Sequence, residues 1–139
     1  MRTRQVRLSR RERGAAAVEF GLILPVLLLL VGGIIDFGIM FNKQILLTNA
    51  ARDGARMVVT NASVATGWSQ GYIDGRIRNA ASPLTSGSLT VSSTAWDCSA
   101  GPGSQITVTV AAPYDYTVLK FVPGLPKPAI KGTATMTCA

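Results

Sequence analysis

The spacing of apolar residues divides the chain into a long apolar run, a helical repeat and a C-terminal alternation. Between Ala15 and Phe41, only Glu19 and Asp36 interrupt the apolar residues. A helix rises about 1.5 Å per residue, so the stretch 20–41 would cover roughly 33 Å, while the hydrocarbon of a bilayer is about 30 Å thick. A small protein has too little mass to bury such a helix on every side. The run therefore predicts a membrane-spanning helix.

A helical repeat continues this run to about Thr60. Small and apolar residues recur on one face, and polar residues occupy the other. The small-residue face consists of Leu47, Ala50, Ala51, Gly54, Ala55 and Val58. A single helix over 15–60 would be roughly 69 Å long. Small residues allow a close backbone approach, which serves packing either on a neighbouring subunit or on the chain's own sheet.

The rest of the chain predicts a short helix and three strands. Residues 61–68 break the helical pattern and predict a loop, after which Ser69 is a candidate N-cap for a helix that ends near Ala81. From Leu89 onward the period changes to two, which predicts strands. The alternating residues are Leu89, Val91, Ser93 and Ala95, then Ile106, Val108, Val110 and Ala112, and finally Ile130, Ala134, Met136 and Cys138. The Gly-Pro-Gly stretch 101–103 predicts an antiparallel turn between the first two strands.

The link 113–128, between the second and third strands, is unusually apolar for a loop. It contains four prolines together with Tyr114, Tyr116, Val118, Leu119, Phe121 and Val122. Such a segment either folds over the sheet or is offered to a partner.

Charge is concentrated at the start of the chain. Residues 1–13 contain six arginines and one glutamate, which accounts for most of the net charge of +7. Lys and Arg near a membrane span stay on the cytoplasmic side, so we expect a cytoplasmic N-terminus and a periplasmic C-terminal part. After Arg13 the basic residues are scattered, which argues against nucleic acid as a partner.

Three residues within the apolar run require separate explanations. Asp36 lies near the outer end, where an interfacial position would carry only a modest cost. Glu19 lies near the cytoplasmic end. A cut between Gly14 and Ala15 would create an α-amino group able to neutralise the Glu19 of a neighbouring subunit. Pro25 removes one backbone donor and should kink the helix.

The two cysteines, Cys98 and Cys138, both fall on the side expected to be periplasmic. An oxidising compartment favours a disulfide between them. The bridge would close a loop of about 40 residues and contribute roughly 4 kcal/mol in the chain-entropy model. Two cysteines without histidine do not make a structural zinc site.

The side chains needed for catalysis are scarce. The chain contains no histidine, which excludes histidine-based triads, ligands and general bases. The acids beyond the apolar run are spread singly, at Asp53, Asp74, Asp97 and Asp115, and no nucleotide-binding or nucleophile motif is present. We therefore expect neither an enzyme nor a bound cofactor.

A family resemblance begins at Gly14. The heptapeptide at 14–20 is G-A-A-A-V-E-F, which resembles the prepilin-peptidase site of type IV pilin-like proteins. The longer stretch through N-A-A-R-D-G-A-R at 49–56 resembles the TadE-like family of tight-adherence (Flp) pilus assembly proteins. The resemblance implies cleavage between Gly14 and Ala15, with Glu19 and Phe20 acting in recognition and assembly.

These observations together predict an α+β protein. A basic leader over 1–14 precedes a long transmembrane, pilin-like helix over 15–60 and a small periplasmic head over 61–139. The head would contain a short helix and a three-stranded antiparallel sheet.

The resemblance implies a minor pilin, or pseudopilin, in the bacterial inner membrane. Its partners would be the prepilin peptidase, the major Flp pilin, other minor pilins and the Tad assembly platform. The alternative is a permanently anchored periplasmic scaffold or binding module that never enters a filament and uses the link 113–128 to bind a partner.

Overall fold

A computed structural model of the chain describes residues 10–61, 69–82, 84 and 89–139. The leader residues 1–9 and residues 62–68 of the expected loop lie outside the described residues. The helices and strands are α1 (Arg10–Asn61), α2 (Gln70–Ala80), β1 (Thr90–Ser93), β2 (Gln105–Pro113) and β3 (Ala129–Thr137), with a 3₁₀ turn at Leu119–Phe121. The predicted α+β class, with a long N-terminal helix, a short helix and three strands, is confirmed.

Helix α1 is continuous over 52 residues and contains Pro25 in its interior. It begins at Arg10, before the expected start at Ala15, so the proposed cleavage position between Gly14 and Ala15 lies inside the helix. At about 1.5 Å per residue, α1 extends roughly 78 Å. The kink at Pro25 stays a prediction.

Helix α2 begins where the sequence predicts. Ser69 is its N-cap, and the Ser69 hydroxyl oxygen accepts a hydrogen bond from the backbone N–H of Tyr72 at 3.3 Å. A side-chain cap of this kind satisfies one of the free amides in the first turn. Ile73 and Ile77 are buried, and α2 packs against α1.

The three strands form one antiparallel sheet in the order β1-β2-β3. Successive side chains point to opposite faces, and the buried set on β2 is Ile106, Val108, Val110 and Ala112. This face lies against α1. The opposite face carries threonines, and the hydroxyls of Thr107 and Thr135 lie 2.9 Å apart across the β2–β3 pair. The sheet therefore has one apolar and one polar face.

Glycine sets the distance between α1 and the sheet. A Cβ atom added at Gly132 would overlap the backbone of Leu47 and Thr48, and one added at Gly54 would lie 2.5 Å from Cδ1 of Ile77. Glycine in a strand interior is typical of such close approaches. Of the two uses expected for the small-residue face, the structure shows packing on the chain's own sheet and on α2.

A disulfide closes the far end of the sheet. The structure contains the predicted bridge between Cys98 and Cys138, with Cα atoms 5.8 Å apart. The chain turns between β1 and β2 through Gly101 and Gly103, whose φ angles of 94° and 85° suit glycine. The bridge ties this turn to the end of β3.

Candidate functional site

The N-terminal half of α1 is exposed on every side. Each residue from 14 to 31 is exposed, including Leu22 at 74% and Leu30 at 58%. Among the described residues, one helix, within Gly14–Thr60, is long and apolar enough to cross a membrane. Only 11% of its apolar 18-residue stretch is buried inside the protein. Because consecutive large side chains are exposed, they surround the helix rather than form one stripe. This half of α1 is suited to anchor the chain in a membrane.

The residues expected to act in processing and assembly lie on the first turns of this exposed half. Gly14, Ala15, Glu19 and Phe20 are all exposed. A Cβ atom added at Gly14 would have nothing within 4 Å. The roles of these residues stay predictions.

Asp36 differs from the residues that precede it because its side chain is buried, at 2% exposure. Its Oδ1 atom accepts hydrogen bonds from the backbone N–H groups of Thr117 at 2.7 Å and Val118 at 3.0 Å. Its Oδ2 atom accepts one from the N–H of Leu119 at 2.7 Å. The expected interfacial position of Asp36 in a membrane stays a prediction. The structure adds that its carboxylate is buried within the protein, where a charged group needs donors, and the link between β2 and β3 supplies them.

Tyr114 completes this contact between the head and the helix. The Tyr114 hydroxyl donates a hydrogen bond to the main-chain oxygen of Asp36 at 2.9 Å. Its ring lies 5.1 Å from Nζ of Lys43, a distance typical of a cation–π contact. Burial, together with the nearby Asp36 carboxylate, raises the pKa of Tyr114 above its usual value. The hydroxyl is therefore a protonated donor at neutral pH.

The link 113–128 lies along α1. Val118 and Leu119 cover Gly32, where an added Cβ would lie 3.2 Å from both side chains. Further toward the N-terminus, a shallow groove is lined by Pro25, Leu28, Leu29, Phe121, Val122 and Pro123. The sequence left two uses open, folding over the sheet or binding a partner. The structure shows the link packed on the apolar helix, with the Phe121 side chain 69% exposed, and binding of a partner by the link stays a prediction.

The arrangement around Asp36 is a hydrogen-bonded clamp between α1 and the head. Within the described residues, every buried side-chain nitrogen or oxygen atom has a hydrogen-bond partner, and no three His, Cys, Asp or Glu side chains cluster as metal ligands. Two of the remaining acids form exposed ion pairs, Asp74 with Arg78 and Asp115 with Lys127, each at 2.7 Å. The Asp36 clamp, defined as Asp36, Tyr114 and the amides of 117–119, therefore holds the head on α1.

Sequence reasoning missed most of the clamp. It singled out Asp36 but found neither Tyr114 nor the amides of residues 117–119. The available signal was Gly32, one helical turn before Asp36 and so on the same face. A glycine one turn before an acid leaves room on that face for another segment, from whose donors the acid can then accept hydrogen bonds.

Part of α1 is similar in sequence to a known protein family. Residues 14–56 match the family model described as TadE-like protein, which confirms the resemblance found in the sequence. The matched segment contains the exposed apolar half, Asp36 and most of the small-residue face. No curated protein and no solved structure matches the chain. The match therefore lies within α1, and the head lies outside it.

Proposed function

We propose that this chain is a minor pilin, or pseudopilin, that takes part in the biogenesis of a tight-adherence (Flp) pilus. The observation that carries the proposal is the TadE-like match over residues 14–56. It begins at the glycine after which a prepilin peptidase would cut, and it extends through both the apolar and the small-residue halves of α1. The last residue of the leader, the anchor and most of the subunit spine are then parts of one matched segment.

Anchoring in the inner membrane is supported by three observations. The apolar half of α1 is exposed all round, as expected for a helix whose solvent is lipid. The arginines precede it, which favours a cytoplasmic N-terminus. The disulfide between Cys98 and Cys138 follows it, and disulfides persist in oxidising compartments such as the periplasm. The proposed orientation therefore has the leader inside and the head outside.

Processing at Gly14 is supported by accessibility. Gly14 and Ala15 are exposed, and the space around the Gly14 Cα atom is open. Cleavage there would leave the new α-amino group four residues before Glu19. Because opposite charges attract more strongly in a low dielectric, that amine could pair with the Glu19 carboxylate of a neighbouring subunit within the membrane or fibre. The proposal assigns no catalytic activity to the chain.

Cleavage can be tested with two glycines that the structure makes equivalent. A Cβ atom at Gly14 or at Gly21 has nothing within 4 Å, so Gly14→Ala and Gly21→Ala should be equally harmless to packing. We expect mass spectrometry of the wild-type chain and of Gly21→Ala to show a terminus at Ala15, while Gly14→Ala keeps its leader. A wild-type chain that retains Met1 and has no pilus-associated pool would instead support the anchored scaffold.

Assembly can be tested at Glu19, with its exposed neighbour Val18 as control. Removing a charge lowers the cost of membrane insertion, so Glu19→Ala should insert normally. We expect Glu19→Ala to reduce co-purification with the major pilin, whereas Val18→Ala should not. Equal recovery of the major pilin with both variants would contradict a role for the Glu19 carboxylate.

A further inference from the structure

The link between β2 and β3 reaches back into the apolar half of α1. Its segment 118–123, here called the tip segment, contacts the helix between Pro25 and Gly32. The helix rises about 16 Å from Asp36 to Pro25. A helix that crosses a bilayer with its exposed apolar half would therefore carry the tip segment below the membrane surface.

We propose that the tip segment inserts into the outer leaflet of the bilayer beside α1, so that the chain contacts the membrane at two places. The proposal rests on membrane anchoring by α1, which is part of the proposed function. The head would then be seated on the membrane rather than held away from it on a bare stalk.

The Asp36 clamp removes the main obstacle to insertion. Unsatisfied backbone N–H groups in hydrocarbon cost several kcal/mol each. The N–H groups of Thr117, Val118 and Leu119 donate to the Asp36 carboxylate, and the N–H of Val122 donates to the Leu119 carbonyl at 3.0 Å. The placement of an acid in the apolar run is explained by this need, since one carboxylate supplies acceptors for three amides.

The side chains of the tip segment suit hydrocarbon. Phe121 is 69% exposed, and Pro123 has no N–H group to satisfy. Lys120 is the exception, and its long apolar stem allows the ammonium group to reach the lipid phosphates while the backbone lies deeper. A cationic residue beside an apolar tip is complementary to an anionic membrane surface.

Lipid fits this surface better than a partner helix does. A partner helix would cover one stripe of α1, but the exposed apolar residues surround the helix throughout 14–31. Phe121 is continuous with this surface, since it lines the same groove as Leu28 and Leu29. A single apolar solvent that contacts both the helix and the tip segment accounts for the whole pattern.

Fluorescence quenching in lipid vesicles tests the insertion. The full-length chain would be reconstituted in phosphatidylethanolamine and phosphatidylglycerol vesicles whose acyl chains carry bromine, which quenches nearby tryptophan. Three exposed positions are compared: Phe121→Trp in the tip segment, Leu27→Trp on α1 and Thr135→Trp on the polar sheet face. The parent chain, with Trp68 and Trp96, gives the background. We expect the fluorescence added at 121 and at 27 to be lost, and that added at 135 to persist.

The controls separate this inference from the proposed function. Quenching at 27 without quenching at 121, with iodide in the water reaching 121 as readily as 135, would overturn insertion of the tip segment while leaving the anchor in place. Absence of quenching at 27 would overturn the anchor, and the insertion with it. Because Phe121 is largely exposed, its replacement should leave the fold unchanged, which the near-UV circular dichroism spectrum verifies.

Discussion

The two halves of α1 are one continuous helix with opposite surroundings. In the N-terminal half the side chains are large and exposed, as at Leu30, which is 58% exposed. In the C-terminal half the inward-facing side chains are mostly small and fully covered, and even Leu47 is 0% exposed. Lipid adapts its shape to any apolar side chain, whereas a sheet of fixed geometry requires small residues for close approach. Residue size along the helix therefore indicates whether each half is suited to lipid or to packing on the sheet.

Asp36 lies where the two halves meet. Before it, the described residues on α1 are mostly exposed and contact the tip segment, and after it α1 packs against the core of the head. Stability of the head should depend mainly on the C-terminal half, and membrane affinity mainly on the N-terminal half.

Reducing the disulfide should have the largest effect on the head. The bridge spans 40 residues, and its loss should lower the free energy of unfolding by about 4 kcal/mol in the chain-entropy model. The measurement is urea unfolding of the full chain in detergent micelles, followed by near-UV circular dichroism with and without reductant. A Cys98→Ser, Cys138→Ser double variant should be equally destabilised and indifferent to reductant. An unchanged midpoint on reduction would contradict the prediction.

Two leucines, one in each half of α1, test whether the halves act independently. Leu47→Ala should lower the unfolding free energy of the head by about 3 kcal/mol, because it removes buried apolar contacts and leaves a cavity. Leu30→Ala should leave that free energy nearly unchanged and weaken retention in the membrane instead. Urea unfolding and extraction by carbonate measure the two effects. Equal destabilisation of the head by both variants would show that the halves are not independent.

Gly132→Ala tests the closeness of the helix and the sheet. The added Cβ would overlap helix backbone at Leu47 and Thr48, which has no rotamer to relieve the contact. We expect a loss of about 2 kcal/mol, within the range for overpacked cores. Gly75→Ala on α2, where the added Cβ meets nothing within 4 Å, is the control and should be neutral or slightly stabilising. A Gly132→Ala chain as stable as this control would contradict the packing.

The smallest predicted effect concerns Tyr114 in the Asp36 clamp. Its raised pKa means that the unfolded chain ionises first, so its contribution to stability is complete below pH 10 and is lost as pH rises through the folded pKa. Tyr114→Phe should cost about 1 kcal/mol at neutral pH, typical of one hydrogen bond, and should reduce the alkaline loss. Unfolding measured from pH 8 to pH 11 checks this. A Tyr114→Phe chain whose alkaline loss of stability equals that of the parent chain would contradict the assignment.

Much of the fold is predictable because local sequence patterns indicate most of its helices and strands. The apolar run, the Ser69 cap, the period-two strands and the cysteine pair each indicate a structure within a short stretch of sequence. The docking of the small-residue face on the sheet was left open, although Gly132 within an alternating strand indicated a close approach. Gly132 interrupts the apolar set of β3 at the position where α1 passes.

The donors of the Asp36 clamp could not be predicted because they are backbone amides. Every residue except proline has such an amide, so the sequence of residues 117–119 carries no sign of the interaction. The contact also joins residues 81 positions apart, Asp36 and Thr117, through the path of the link between two strands. The prediction for the processing site differs in kind. The roles expected there come from a sequence resemblance, which the geometry of the chain alone does not test. The residues concerned are Gly14, Ala15, Glu19 and Phe20.

The Asp36 clamp also determines where a mechanical force on the head would reach α1. Three backbone N–H groups, those of Thr117, Val118 and Leu119, donate hydrogen bonds to the Asp36 carboxylate near the middle of α1. The chain itself leaves α1 only at Asn61. A force applied to the head is therefore transmitted to the middle of α1 as well as to its C-terminal end. A force applied along α1 would likewise reach the head through these hydrogen bonds as well as through the end of the helix.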